Sequence, residues 1–254
     1  MNLKKILKPN FIKAGLKSLT ANILKDYKTP IGVYLTITSR CNLNCKCCDF
    51  QKINQKKILE IPTENCIEYI RQMADAGVVK LNITGGEPLL HKGIDEIIKF
   101  AKSKKMFIAL STNATKISEH LDALKFVDVV MMSFDGSPKN HNYLRGADNF
   151  ETLIKTIELL KKNNINFWTT TTLNKKNIND IEFVLSIAKK YNTYANFVLI
   201  QFFDKVIESN SLPDYQKVQQ LELIPDDKDI RAAFEKLIKL KKDGEPIGSS
   251  FEFL

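Results

Sequence analysis

Long apolar runs are missing from this chain. None approaches the ~18 residues that span a bilayer as a helix, and the first residues carry neither the compact apolar block nor the small-residue cleavage site of a secretion signal. A cytoplasmic chain is therefore expected. Histidine is scarce: His91, His120 and His141 show no ligand spacing and read as surface or capping residues. The Ser, His and Asp residues fall in no order that favours a hydrolase triad. The single tryptophan, Trp168, falls inside a strand candidate and reads as core. No internal repeat or low-complexity tract stands out beyond a bias to Lys, Asn and Ile. Outside one short stretch cysteine is nearly absent as well. Four of the five lie between Cys41 and Cys48, and none follows Cys66. That crowding makes a poor disulfide framework and suits metal in a reducing compartment.

The net charge of +9 invites a nucleic-acid reading, but its distribution argues otherwise. Residues 1–30 hold seven lysines against one acidic residue, Asp26, leaving only +3 for the rest. A basic stripe across a folded face would be the stronger signal. Within that segment Ile12, Leu16, Leu19 and Ile23 recur at helical spacing, so an amphipathic helix is expected. It either packs across one end of the fold with its lysines solvated, or contacts a membrane surface or a partner.

With 254 residues and 44% hydrophobic content, one large α/β domain is expected. After Pro30 six short apolar runs alternate with helix-period segments, the pattern of βα units around a parallel sheet. The strand candidates are 32–38, 79–84, 106–111, 127–134, 165–172 and 195–201. Thr63 and Asn149 read as N-caps of two of the helices. Six units rather than eight point to an incomplete (β/α)6 TIM-type barrel. The organisation expected is a basic helical segment over 1–30 and a core barrel over 31–202. Residues 203–254 would hold a loop, the last helix and the start of a C-terminal extension. The stretch Phe203–Asp227 lacks a clear period, and such a loop is often functional.

Reacting groups of parallel βα barrels come from the C-terminal ends of strands. The polar residues of this sequence gather there. Strand 1 runs into Cys41, Cys45 and Cys48, whose C-x3-C-x2-C spacing supplies three corners of a [4Fe-4S] cube and leaves one iron open. A structural zinc site usually draws two thiolate pairs from separate segments. All four cysteines here lie within eight residues, and the adjacent Cys47 and Cys48 point apart, so with Gly85-Gly86-Glu87 downstream a cluster is preferred and Cys47 would be the spare. Cys66, on a helix's apolar face, reads as core. Strand 2 runs into Gly85-Gly86-Glu87-Pro88. Read alone this is a turn, but its glycines let backbone approach a small ligand and its carboxylate suits an ammonium. Asn113, Ser133 and Asn174 suit hydroxyls or a carboxylate, and Arg145 suits a carboxylate, although each would equally serve as a cap. Asp135 either holds the loop after strand 4 or faces substrate.

The cysteine loop, the GGE loop, Thr112-Asn113 and Ser133-Phe134-Asp135-Gly136 with Arg145 soon after resemble the radical S-adenosylmethionine (SAM) superfamily over roughly residues 31 to 202. The resemblance implies a [4Fe-4S] cluster on Cys41, Cys45 and Cys48. It also implies S-adenosyl-L-methionine bound near Gly85, Gly86, Glu87, Asn113, Ser133, Arg145 and Asn174. A reductant such as flavodoxin or ferredoxin would supply one electron, and SAM would split to methionine and a 5′-deoxyadenosyl radical that abstracts hydrogen from substrate. Cys47 stands where the superfamily usually has an aromatic residue. The chain looks most similar to the branch that modifies peptides or proteins and carries a SPASM or twitch extension, so a peptide or small-molecule substrate is expected. The run from Gly85 to Lys92 also looks like radical enzymes that join adenosyl to hopanoid lipids. A reading outside enzymes is a zinc module on Cys41, Cys45, Cys47 and Cys48.

Overall fold

Each apolar run becomes a strand, and the segment that follows carries the chain back so that the next strand lies parallel beside it. The computed structural model describes Leu16 and residues 30–48, 57–200, 222–251 and 253. Its strands are β1 (Gly32–Thr38), β2 (Lys80–Gly85), β3 (Phe107–Thr112), β4 (Val129–Ser133), β5 (Phe167–Leu173) and β6 (Ala195–Leu199). Between and after them lie α1 (Thr63–Asp75), α2 (Ile94–Ser103), α3 (Leu121–Leu124), α4 (Pro138–Arg145), α5 (Phe150–Lys162), α6 (Ile181–Lys190) and α7 (Asp227–Lys242). The sheet runs β1-β2-β3-β4-β5-β6 with every pair parallel. β1 and β6 are its two edges, so the barrel is open, as the count of six units suggested. Each edge carries a short cover: Thr38 bridges Glu60, and Ala195 bridges Ile247.

Strand periodicity decides what is buried. One face turns Leu35, Ile37, Leu81, Ile83, Leu110, Val130, Phe167 and Phe197 toward the helices, where they join Ile70, Ile97, Ile157 and Leu237 in one core. Burying each such side chain contributes about 1.5–3 kcal/mol. The other face is half-open and carries Thr36, Thr84, Ser111, Ser133, Thr170 and Thr172. Register aligns Ser133, Thr170 and Asn196 across three strands there.

Trp168 belongs to that open face, half-buried with its ring edge-on to Tyr194, and its neighbour Phe167 takes the core position. The large side chain does not decide the face; the two-residue period does. Thr63 is the first residue of α1 behind an N-cap Pro62, not the cap itself. Asn149 does occupy the N-cap of α5 but makes no side-chain cap bond. Asn142 performs that task, its Oδ1 accepting from the amides of Asn149 and Phe150 at 3.2 and 3.0 Å. Of the basic segment 1–30 only Leu16, helical and exposed, and Pro30 are described, and residues 203–221 lie outside the described residues. No described helix is long and apolar enough to cross a membrane.

Candidate functional site

The loop after β1 and the loop after β2 are built as one unit. The amide of Gly86 donates to the Thr38 carbonyl at 2.8 Å, and that of Glu87 to the Arg40 carbonyl at 2.7 Å. A Cβ on Gly85 would stand 2.3 Å from the Thr38 oxygen, and one on Gly86 would stand 2.4 Å from the oxygens of Ser39 and Arg40. Both positions must therefore be glycine for the two strand ends to touch. The glycines' closest approach is thus to the root of the cysteine loop.

Glu87 extends the same bracket to β3. It is fully buried, and its carboxylate takes three internal donors: the Leu89 amide at 3.0 Å, Thr112 Oγ1 at 2.8 Å and the Asn113 amide at 2.7 Å. Burial pushes its pKa up, while these three hydrogen bonds pull it back. Asn113 then reaches the cysteine loop, its Nδ2 lying 3.0 Å from Asn42 Oδ1 and 3.7 Å from Cys41 Sγ. Its Oδ1 accepts from Thr115. Asn174 is buried in the turn after β5, donating to the Thr172 carbonyl and accepting from the Lys176 amide. Ser133 stands on the open face at the end of β4.

Helix α4 is the element that sequence reasoning missed. It buries only His141 and Leu144, too few for a readable period. Pro138 at its start and Gly146 just past its end, at φ 65°, were the available signals. Its C-terminus lies on the cysteine loop: the Lys46 amide donates to the Leu144 carbonyl at 2.9 Å. Arg145, expected to meet a carboxylate, meets that of Asp135, with Nη2 2.7 Å from Oδ2. Its Nη1 lies 3.8 Å from Cys45 Sγ. The ion pair is close but off the line of a good hydrogen bond, and the buried Nε–H has no partner. Burial opposes the Arg145 charge, and Asp135, Cys45 and Cys47 outweigh it, so the guanidinium pKa is held above its ordinary value. Asp135 holds the β4 loop: its Oδ1 accepts from the Thr172 amide at 3.1 Å and its carbonyl from Asn177 Nδ2 at 3.1 Å.

The four cysteines of the loop divide. Cys47 packs against the small apolar cluster Leu144, Ile200 and Leu223. Burial, and then Asp135, push its thiol up to about 12. Burial likewise raises Cys41, and takes Cys45 to about 11 although Arg145 lowers it. Cys45 senses the charges of Cys48 and Cys41, and Cys47 those of Cys45 and Cys48, so all four sulfurs share one neighbourhood and only the packing of Cys47 sets it apart. Among the described residues no three His, Cys, Asp or Glu side chains stand close enough to hold a single metal ion. Thiolates around one zinc at ~2.3 Å would lie within about 4 Å of each other, whereas cube corners lie farther apart. Thiolates are the donors that a [4Fe-4S] cluster takes, so the residues of the loop fit such a group. Beside the loop's root is a cavity of about 490 Å³ lined by Thr36–Ser39 and Lys57–Ile61.

The sequence signature described as the Radical SAM superfamily matches residues 35–187. An AdoMet-dependent heme synthase of Methanosarcina barkeri is 29% identical over 167 residues, covering 64% of this chain and 48% of that protein. A GTP 3′,8-cyclase of Campylobacter fetus is 26% identical over 202 residues, covering 75% of this chain and 61% of that protein. The crystal structure of Streptococcus suis SuiB bound to the precursor peptide SuiA superposes with a TM-score of 0.70 at 18% identity, covering 94% of this chain and 52% of that one. The chain thus spans about half the length of the first relatives it matches.

Proposed function

This chain belongs to the radical SAM superfamily, and on that premise we propose that Cys41, Cys45 and Cys48 hold the [4Fe-4S] cluster the family uses. The observation that carries the assignment is the packing of Cys47 on the apolar cluster of Leu144, Ile200 and Leu223, which leaves Cys41, Cys45 and Cys48 at C-x3-C-x2-C spacing. Once bound, the cluster and S-adenosylmethionine supply one-electron cleavage of the sulfonium to a 5′-deoxyadenosyl radical. The protein's part is to bind, orient and exclude water. Gly85, Gly86 and Ser133 line the place for the nucleotide. Glu87, Asn113, Asn174 and Arg145 act one step behind, fixing the loops that carry it. Glu87 does so through three elements at once, the helical turn at Leu89, the end of β3 and, by way of Asn113, the cysteine loop.

Substrate hydrogen would be removed at the open sheet face, whose small hydroxyl side chains leave room. A peptide or protein substrate is the reading we favour, supported by the fold likeness to SuiB, which was solved with a peptide. The reductant would be a flavodoxin or ferredoxin. Anaerobic reconstitution with iron and sulfide tests the cluster assignment. The expected result is four irons per chain, 5′-deoxyadenosine on reduction with SAM, iron retained by Cys47→Ala and lost by Cys45→Ala. Equal loss in both variants, or stoichiometric zinc in a colourless protein, would refute it.

A further inference from the structure

The Asp135–Arg145 pair is buried, its side chains 1% and 13% exposed. Such a pair costs desolvation that apolar packing would avoid, so its retention asks for a use. Its surroundings specify one. Three successive residues of one segment dock on three of the cysteine loop. The Leu144 carbonyl accepts from Lys46, Arg145 lies against Cys45, and a Cβ on Gly146 would stand 2.3 Å from the Asn44 oxygen. Arg145 cannot drift, because Asp135 is itself tied to β5 through the Thr172 amide and to the following turn through Asn177. Its backbone amide donates to His141 Nδ1 at 3.1 Å, back onto α4. The result is one fixed cation touching a sulfur and one fixed anion immediately behind it.

We propose that this pair sets the reduction potential of the cluster, Arg145 favouring the reduced form through its N–H contact with Cys45 and Asp135 limiting that gain. The inference rests on Cys45 being a cluster ligand. One electron from the reductant enters and no bond forms or breaks; the cluster becomes more negative by one charge. Hydrogen bonds to the sulfurs and nearby charge are the protein's means of setting where that electron settles. A cation in contact favours the added charge and an anion behind it opposes it, so the two residues act with opposite sign. Arginine fits because its planar fork presents Nη2 to Asp135 and Nη1 to Cys45 at once, a two-armed geometry that a point-like ammonium lacks. By this reading Arg145 is a positioning residue for the nucleotide and a direct neighbour of the cluster.

The test is a redox titration of the reconstituted full chain, followed by electron paramagnetic resonance, with iron counted in each sample. Asp135→Asn keeps an acceptor for the Thr172 amide and removes the anion. Its reduction equilibrium should shift about tenfold toward the reduced form, about 59 mV for one electron. Arg145→Lys keeps the charge and loses the sulfur contact, and should shift about as far the other way. Opposite signs are the signature, since a merely structural role would move both variants together. Shifts of the same sign, reduction equilibria within threefold of wild type, or loss of iron in one variant with no shift in the other would overturn the proposal. A wild-type chain that holds no cluster would overturn the ligand assignment and this inference with it. A normal cluster with unmoved variants would overturn this inference alone.

Discussion

Replacing His141 with asparagine should flatten the fall of stability below neutral pH. The imidazole is 1% exposed and accepts the Asp135 amide on Nδ1 at 3.1 Å. The rings of Phe134 and Phe150 stand 6.0 and 5.8 Å from it, centroid to centroid. Burial, and then the Arg145 cation, lower its pKa from 6.5 to about 4, against the pull of Asp135. A histidine whose pKa is depressed on folding is protonated first in the unfolded chain. Between pH 6.5 and about 4 the unfolded state therefore binds the extra proton, and stability falls as pH falls through that window. Above pH 6.5 the contribution is complete. One proton over this interval amounts to about 2 kcal/mol by pH 5 and about 3 kcal/mol by pH 4. That is a large share of the ~5–15 kcal/mol a domain possesses. Asparagine retains an acceptor for the Asp135 amide and does not titrate, while giving up the ring contacts. Urea unfolding of the cluster-free chain, followed by far-ultraviolet circular dichroism, should find the variant less stable at pH 7.5. The gap should then narrow by about 2 kcal/mol at pH 5. Parallel curves for the two proteins would refute the reasoning.

Glu87→Gln removes an acceptor from one of three buried donors and should cost about 1–3 kcal/mol in a denaturant titration. It should also weaken SAM affinity measured by calorimetry; unchanged stability would show that the bracket is not made. Gly146→Ala places a Cβ 2.3 Å from the Asn44 oxygen at a residue with φ 65°. Iron per reconstituted chain should drop while helical content is retained, and full iron loading would show that α4 does not fix the loop.

The six strands were legible because buried parallel strands read as short runs of Val, Ile, Phe and Thr between longer periods. Their ends lie within two residues of the expectation, β1 matching at both and β4 beginning at Val129 rather than Val127. α4 was illegible because two buried residues make no stripe. The rim of polar residues was legible from the rule that strand ends carry chemistry. Partnership was not. Glu87, Asn113 and Arg145 are residue types that suit a ligand, yet each finds donors or acceptors in segments distant in sequence, such as Arg145 with Cys45, while Asn174 binds within its own turn. Composition and spacing carry no information on which neighbour a buried polar group will find. The cysteine motif escaped this difficulty because its partners lie within eight residues of one another.

The cysteine loop and the arginine that lies on it are 100 residues apart in sequence. At about 5–20 residues per second on the ribosome, Arg145 emerges about 5–20 s after Cys45. Through that interval the nascent thiols stand without their cover, accessible to whatever delivers iron and sulfide. Completion of the fourth βα unit closes this interval, so on the ribosome the loop is most open to metallation before α4 is made.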